Sequence, residues 1–379
     1  MAGQTPAAHA AGVRDQQWYL DRMHVDKIWE KTTGEGIKIA VIDSGVNAST
    51  PSLKGQVLPG RDASIPEGGG PDISDRTGHG TTTAELIAGT GAGGGIQGLA
   101  PGAKIIPIKV PMLEFDELPS IYDHVDQAIR MALQRDADII TISVANKYVI
   151  GAGKTAQRYA LQDALKKGVL VFAGSGDNAK KGNEPLAPAR YHEVVSVAAS
   201  DEDGRAAPFS QHGDKVNIAA PGVNYPRWCD GTFTRYCSGG QGTHAASALA
   251  AASAALIKSI HPDWTASQIL RVMLDSAARG DNWEPGSVSN YLGYGIIRPG
   301  AHINRGLGNP GAPDPGEYPK FVRPVPPKPT PMVSSAPPTA AAADSAPNRA
   351  VLMSTGVAAA LAVSVGTVWA IRRKRRHTR

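Results

Sequence analysis

The chain has 379 residues, which is long enough for one large domain with a sizeable core. Six of its 39 basic residues lie at the C-terminus between 372 and 379, so the rest of the chain holds 33 basic against 34 acidic residues. The formal charge of +5 is therefore due to the C-terminal residues. The composition of the rest of the chain excludes the basic surface that is typical of nucleic-acid-binding domains.

The first candidate site residue is Asp43. A β-rich apolar run at Ile37–Ile42 predicts a buried strand, and Asp43 ends it before Ser44-Gly45. An Asp at the carboxyl end of a parallel strand is a usual site position in an open α/β sheet. Taken alone, Asp43 could equally cap the following turn.

The second candidate is His79, which lies between two glycines and opens a predicted helix at His79–Ala88. A histidine held in this way can receive an orienting carboxylate on one ring nitrogen. A single histidine at such a position could also simply pack in the turn.

Further strands and helices alternate along the chain, which predicts a mostly parallel sheet covered by helices on both faces. The central helix is rich in Ala and Ser and ends at His261-Pro262. The other predicted strands are Lys104–Val110, Asp138–Val144, Gly168–Phe172, Glu193–Ala198 and Val216–Ala219, and the other predicted helices are Gln17–Lys31, Ile121–Arg135, Thr155–Lys167, Thr243–Ile260 and Ala266–Ala277.

These motifs, in this order, resemble the subtilase family of serine proteases over about Gln16 to Ile303. The resemblance implies a subtilisin-like three-layer α/β fold. Within that family the chain looks most like the mycosins, the membrane-anchored proteases of type VII secretion systems, because of its opening Val13–Leu20 and its C-terminus. The matching segments are Asp43-Ser44-Gly45, Gly78–Thr81, Gly98–Ala103, Ala137–Ser143, Phe209-Ser210, Ala219–Gly222 and Gly242-Thr243.

The resemblance also shows where this chain departs from its family. His244 stands where subtilases have the nucleophilic serine, beside the Asp43 and His79 positions of the triad. Asp177 stands where the family has the asparagine of the oxyanion hole, and a shift of the alignment by one residue would put Asn178 there instead. Acyl transfer needs an activated hydroxyl beside the base. We therefore expect a pseudoprotease that acts as a peptide-binding or scaffold component of type VII secretion.

The resemblance places the substrate-binding strand at Ser143, Val144 and Ala145, where relatives usually have Leu-Gly at the last two positions. The implied partner is an extended peptide or protein substrate, together with type VII secretion components. Neither a cofactor nor a resident metal is expected.

Two alternatives remain open. In the first, the chain is an active serine endopeptidase whose nucleophile is displaced to Ser247, one helical turn further on, or to Ser238. In the second, His79 and His244 form a two-histidine metal site with nearby carboxylates.

The predicted domain organisation is an N-terminal extension (1–15), a peptidase-like domain (16–305), a Pro/Ala-rich linker (306–349), a transmembrane helix (350–371) and a basic tail (372–379). The basic tail predicts a single-pass cell-membrane protein with a cytoplasmic C-terminus and an extracellular domain. Residues 1–15 show no signal peptide, so we expect an upstream gene start or a signal already removed. A tail-anchored protein with a cytosolic domain is the rival topology.

Cys229 and Cys237 are the only cysteines of the chain. A pair eight residues apart fits a short-loop disulfide outside the cell, and the alternative is two reduced thiols.

Overall fold

The computed structural model describes residues 12–65, 70–111, 122–145, 151–280, 283 and 287–313. All of these belong to one compact unit within residues 1–328. The predicted membrane helix at 350–371 and the basic tail at 372–379 lie outside the described residues, as does the linker beyond residue 313. Within the described ranges, no helix combines the length and the apolar character needed to cross a bilayer.

The centre of the fold is a parallel sheet with the strand order β2-β3-β1-β4-β5-β6-β7. The central strands are buried along nearly their whole length because helices cover both faces. The predicted parallel sheet is therefore confirmed. The strands are β1 (Lys38–Asp43), β2 (Arg61–Asp62), β3 (Lys104–Lys109), β4 (Ile139–Ile142), β5 (Leu170–Gly174), β6 (Val195–Ser200) and β7 (Ile218–Pro221).

The strand order places β1 between β3 and β4, so the chain leaves β1 on one side and later returns on the other. Ligand sites of open α/β sheets lie at such a switch point, outside the carboxyl ends of the strands. Asp43 is the last residue of β1 and therefore lies at this crevice.

Helices form the two outer layers. One face of the sheet packs against α3 and α6, with α7 packed on α6, and the other face packs against α4 and α5. The helices are α1 (Trp18–Met23), α2 (Val25–Trp29), α3 (His79–Ala88), α4 (Tyr122–Gln134), α5 (Gly151–Lys166), α6 (Thr243–Ile260), α7 (Ala266–Asp275) and α8 (Pro299–Arg305).

Helix α6 runs through the middle of the domain. Every residue from Ala245 to Ile257 is buried, and the helix contacts strands β4 to β7. A helix that is apolar all round must be buried, and its alanines and serines allow a close approach to the sheet. Gly174 is required where β5 meets this helix, because a Cβ there would lie 2.5 Å from the Thr243 hydroxyl.

One local prediction was wrong, and one element was not predicted. The single helix predicted at Gln17–Lys31 is two short helices, because His24 adopts a left-handed backbone conformation with φ 52°. A two-stranded antiparallel hairpin, β8 (Val223–Trp228) and β9 (Tyr236–Gln241), was not predicted. Its irregular register hides the alternation that marks a strand.

Helix α7 begins with a capping box that offers a test of this part of the fold. The Thr265 hydroxyl accepts the backbone N–H of Gln268 at 3.3 Å, and the Gln268 side chain accepts the backbone N–H of Thr265 at 3.1 Å. We expect Thr265→Ala to lower the free energy of unfolding by about 1 kcal/mol, because the helix loses its N-cap acceptor. Chemical denaturation measures this loss. Thr265→Ser keeps the hydroxyl and should stay near wild type, so an equal loss in both variants would contradict the capping role.

Candidate functional site

Asp43 and His79 form a hydrogen-bonded pair at the carboxyl end of β1. His79 is the first residue of α3, and its Nδ1–H donates to Asp43 Oδ1 at 2.7 Å. The same carboxylate is fully buried and also accepts the Ser44 backbone N–H at 2.7 Å and the Thr83 hydroxyl at 3.0 Å. Because the carboxylate only accepts, it holds the proton on Nδ1 of His79 and leaves Nε2 as the free ring nitrogen.

The electrostatics of this pair favour an ionised carboxylate beside an imidazolium. Burial opposes the ionisation of Asp43, but the charge of His79 and hydrogen bonds from His79 and Ser44 outweigh it and lower the pKa of Asp43. Burial likewise opposes the charge on His79, but Asp43 outweighs it and raises the pKa of that imidazole, with smaller help from Asp75 and Asp177.

Asp75 holds the turn that presents His79, and the sequence reasoning missed this role. Its Oδ1 accepts the Ser44 hydroxyl at 2.9 Å and the backbone N–H groups of Thr77 and Gly78 at 2.9 and 3.0 Å. Its Oδ2 accepts the backbone N–H and the hydroxyl of Thr81. The available signal was an Asp directly before a Thr/Gly-rich turn, where backbone donors need an acceptor.

His244 lies directly against His79. It is the second residue of α6, and the two imidazole rings are 4.1 Å apart at an interplanar angle of 42°. Burial, together with the charge of His79, lowers the pKa of His244 to about 3, and Asp43 only partly opposes this. His244 is therefore a neutral imidazole at physiological pH, beside a histidine that favours the charged form.

Tyr225 on β8 is a second site residue that the sequence reasoning missed. Its hydroxyl lies 3.1 Å from Nε2 of His244, and the two rings meet edge to face at 87°. Burial raises the pKa of Tyr225, so the phenol keeps its proton. On the other side of the ring, Nδ1 of His244 lies so close to Gly242 that a Cβ there would be 2.4 Å away. No motif marks Tyr225, because it reaches the site through the unpredicted hairpin.

Asp177 lies at the N-terminus of α6, three residues after the end of β5. Its Oδ1 accepts the backbone N–H of Thr243 at 2.8 Å, while the residue as a whole is exposed. A carboxylate is stabilised at a helix N-terminus by the free N–H groups and the helix dipole. The side chain thus supplies negative charge, and no hydrogen-bond donor, to the open side of the site.

The predicted substrate-binding residues follow β4 at the same edge of the sheet. The Ser143 backbone N–H donates to the carbonyl of Ile42 at 3.1 Å, so this segment stays beside the end of β1. Val144 is buried and Ala145 is half-buried. Residues 146–150, which continue the segment, lie outside the described part of the chain.

The two candidate replacement serines lie in unequal surroundings. Ser247 is fully buried inside α6, with its hydroxyl 2.9 Å from the Thr141 hydroxyl. Ser238 is exposed on β9. A misplacement of only 1 Å can cost a reaction about 10²-fold, and Ser247 is bound to a core residue rather than to His79.

The disulfide partners Cys229 and Cys237 are joined across the hairpin. Immediately before Cys229, the Trp228 backbone N–H donates to the Thr82 hydroxyl at 3.0 Å. The hairpin is therefore attached to α3, three residues after His79.

Glu85 makes a further link between α3 and the hairpin. It is fully buried and accepts the hydroxyls of Thr50 at 2.8 Å and Tyr236 at 2.9 Å. Burial raises the pKa of Glu85 to about 7, against the opposing hydrogen bonds from Thr50 and Tyr236.

Among the residues that the structure describes, no group of three or more His, Cys, Asp or Glu side chains is arranged to hold a metal ion. His79 and His244 are brought together, but Nδ1 of His79 is bound by Asp43, and Nε2 of His244 faces Tyr225. Each ring thus uses one nitrogen in a contact with another side chain of the protein, and the two rings also contact each other.

Comparison with known proteins gives consistent matches. The model of the Subtilase family matches residues 34–295. The Major intracellular serine protease of Bacillus subtilis (strain 168) is 34% identical over 203 residues, covering 52% of this chain and 62% of that protein. Subtilisin E of the same organism is 32% identical over 271 residues, covering 70% of this chain and 65% of that protein. This chain thus spans less than two thirds of the length of these relatives.

Among solved structures, the serine protease MycP1, described as an essential component of the type VII (ESX-1) secretion system, is similar over 79% of this chain and 90% of its own. The TM-score is 0.66 and the identity is 27%.

The contact between Tyr225 and His244 can be tested by stability. We expect Tyr225→Phe to lower the free energy of unfolding by about 1–3 kcal/mol, because a buried ring nitrogen of His244 loses its partner. Chemical denaturation measures the change. Tyr159→Phe is the matched control, since Tyr159 is 58% exposed and its variant should stay within about 0.5 kcal/mol of wild type. A Tyr225→Phe variant as stable as that control would show that the contact contributes nothing.

Glu85 predicts a pH dependence of stability. Its pKa in the folded state is about 7, above its ordinary value of 4.5, so the folded state binds more protons than the unfolded state between these values. The free energy of unfolding should therefore fall as pH rises through this window, by about 3 kcal/mol in total from this group. Glu85→Gln should remove that contribution, as seen in denaturation midpoints measured from pH 4.5 to 8.

The matched control for this experiment is Glu30→Gln, because the Glu30 side chain is 64% exposed. It should keep the wild-type pH profile. An unchanged profile in Glu85→Gln would mean that Glu85 is already ionised throughout the window.

Proposed function

Because the chain belongs to the subtilase family, we propose that it is a membrane-anchored, mycosin-like pseudoprotease that binds peptide or protein segments without cleaving them. The observation that carries this proposal is the identity of the side chain next to the His79 ring. The neighbour of that imidazole at the start of α6 is His244, whose ring is 4.1 Å away. No hydroxyl is recorded in hydrogen-bond contact with the His79 ring in the described part of the chain.

The Asp43–His79 pair supports the idea that a base was inherited without its nucleophile. The pair retains the orientation that a triad requires, with Nδ1 bound by a buried carboxylate. A general base accelerates acyl transfer by taking a proton from a hydroxyl or thiol. His244 offers neither, and its Nε2 is in contact with the Tyr225 hydroxyl. Removal of a triad serine leaves only the residual catalysis of binding and oxyanion stabilisation.

Asp177 weakens that residual catalysis further. Its carboxylate already accepts the Thr243 N–H at the N-terminus of α6, where an oxyanion would seek donors. A negative side chain there repels a developing oxyanion, and loss of one oxyanion donor costs about 10²–10³ in turnover. The negative charge of Asp177 thus lowers residual catalysis in addition to the loss of the nucleophile.

Peptide binding requires less of the site than cleavage does. The segment Ser143–Ala145 continues β4 past its carboxyl end, and backbone groups that extend beyond the neighbouring strands can pair with an extended peptide added as a strand. His79 favours its charged form and would attract a peptide carbonyl or carboxylate at the same place. These features support retention of a binding cleft after catalysis is lost.

The cellular setting follows from the C-terminal sequence and from similarity. The uncharged stretch 350–371 is long enough to span a hydrocarbon core of about 30 Å and is followed at once by basic residues. Such a helix would place the folded domain outside the cell. The similarity to MycP1 supports a role beside a type VII secretion apparatus, where an inactive relative would serve as a scaffold or a binding subunit.

The rival function is an active endopeptidase with a displaced serine. The burial of Ser247 and its contact with Thr141 disfavour that residue as the nucleophile. Ser238 is exposed, but it lies on β9 rather than at the start of α6.

The decisive experiment is labelling of the purified full-length chain, in detergent, with a fluorophosphonate probe for reactive serines, together with cleavage of a pooled peptide library. We expect wild type to be silent and His244→Ser to gain labelling, because the inherited Asp43–His79 pair can then activate a hydroxyl. Adding Asp177→Asn to His244→Ser should raise cleavage further, by up to about 10²-fold, since a donor replaces a charge.

His244→Ala is the matched control, which removes the imidazole without supplying a hydroxyl and should stay silent. Adding Asp43→Ala to His244→Ser should abolish the gained labelling. If wild type itself is labelled, the pseudoprotease proposal is wrong, and loss of the label in Ser247→Ala or Ser238→Ala would identify the displaced nucleophile.

A further inference from the structure

A second pair of histidines lies at the opposite end of α6, far along the chain from His244. His261 directly follows the last residue of α6, and His302 belongs to α8. Their Nε2 atoms are 2.9 Å apart, which is a hydrogen-bond distance between two ring nitrogens. His302 is buried and His261 is half-buried. This pair has no part in the subtilase-like site.

The contacts of the two rings fix the position of the protons. Nδ1 of His302 lies 2.9 Å from the carbonyl oxygen of Leu307, and a carbonyl only accepts, so this nitrogen carries a hydrogen. In the neutral ring, Nε2 of His302 is then an acceptor, and Nε2–H of His261 is its donor. The His261 ring also stacks on Trp264, with centroids 3.7 Å apart and planes within 3° of parallel, so it cannot swing away without losing that contact.

The contact tolerates one added proton and no more. A single added proton leaves one hydrogen between the two Nε2 atoms, whichever ring carries the charge, and the bond persists. A second added proton places a hydrogen on both nitrogens and a positive charge on both rings, which cannot remain 2.9 Å apart. The pair therefore behaves as one coupled unit that breaks on its second protonation.

The surrounding charges do not relieve this repulsion. The charged side chains on α8 and on the elements packed against it are Lys258 on α6, Asp263 in the next turn, Arg271 and Asp275 on α7, Asp26 and Lys27 on α2, Glu30 and Lys31 after α2, and Arg298 and Arg305 before and on α8. The Lys31 ammonium binds the carbonyl of Ile303, and the Asp275 carboxylate accepts the backbone N–H of Asn309. Six of these side chains are cationic, and the four carboxylates among them, those of Asp26, Glu30, Asp263 and Asp275, are all exposed. Burial first, and the charge of His302 second, lower the pKa of His261. Stacking on Trp264 favours a charged ring but does not reverse that direction.

His302 also takes part in the C-terminal cap of α8. Gly306 ends α8 in a left-handed conformation, with φ 66°, and its N–H donates to the carbonyl of His302 at 2.7 Å. The Leu307 N–H donates to Ala301 at 3.1 Å, and its carbonyl accepts from His302. Of these three contacts only the one from Nδ1 of His302 to the Leu307 carbonyl involves the ring, and it adds a side-chain hydrogen bond to a C-cap made by the backbone. Residues 306 and 307 are the first residues of the predicted linker.

We propose that His261 and His302 form a proton-operated latch that holds the end of α8 and the start of the linker against α6 at neutral pH and releases them in acid. Because a histidine whose folded-state pKa is lowered binds fewer protons when folded, the latch loses stability as pH falls below the ordinary value of 6.5. The latch operates whether or not the subtilase-like site is active.

The test is amide hydrogen exchange of the full-length chain in detergent, followed by mass spectrometry of peptides that cover residues 300–313, from pH 7.5 to pH 5. After correction for the intrinsic pH dependence of exchange, we expect the protection of residues 300–313 to fall by about tenfold for each pH unit below 6.5. Peptides from α7 should remain protected across the same range. Constant protection of residues 300–313 in wild type would overturn the proposal without any variant.

His261→Gln sharpens the test. The Gln amide can donate to a neutral His302 or accept from a charged one, so protection in residues 300–313 should become independent of pH. His192→Gln is the matched control, because the His192 side chain is 74% exposed, and it should retain the wild-type response. Loss of protection in acid by His261→Gln equal to that of wild type would place the titrating group elsewhere and overturn the latch.

Discussion

The burial of α6 through the middle of the domain is the constraint on which the rest of the molecule depends. A helix buried on all sides from Ala245 to Ile257 must consist largely of small side chains, and it must touch several strands at once. Its direction then fixes what lies at each end. The N-terminus points at the carboxyl ends of the parallel strands and delivers His244 to His79, while the C-terminus delivers His261 to His302. Both histidine pairs are thus consequences of one packed helix.

The two pairs differ in their electrostatics, because their neighbours differ. At the N-terminus, Asp43 supplies a buried negative charge that favours the imidazolium on His79, while burial keeps His244 neutral. One cation and one neutral ring can remain in contact, so the site is stable as it stands. At the C-terminus no buried carboxylate is recorded in contact with either ring in the described part of the chain, and the pair must share its protons. The histidine pair at the N-terminus of α6 therefore keeps one arrangement, whereas the pair at its C-terminus, as proposed, changes its protonation with pH.

The β8–β9 hairpin connects the parts of the candidate site. Tyr225 contacts His244 on α6, while Trp228 and Tyr236 bind Thr82 and Glu85 on α3. The hairpin thus joins the two helices that carry the two histidines, and its disulfide closes it on the far side of Trp228. The buried carboxyl group of Glu85 accepts hydrogen bonds from the hydroxyls of Thr50 and Tyr236, and Tyr236 belongs to the hairpin. The protonation of Glu85 is therefore coupled to the packing of the hairpin on α3. The β8–β9 hairpin therefore links the geometry of the site to the stability of the domain.

The sequence by itself determined the parallel sheet, the central helix, and the positions of Asp43 and His79 within a subtilase pattern, because strand periodicity, small-residue runs and Gly-flanked motifs are local properties of the chain. It also marked His244 and Asp177 as departures from that pattern. Only the tertiary structure decided what these residues touch: Asp177 caps α6, Tyr225 approaches His244, Ser247 is bound to Thr141, and His261 meets His302. These contacts join residues between 19 and 106 positions apart. Side chains brought together across that distance leave no periodic signal, since their meeting depends on how the sheet, α6 and the irregular hairpin pack.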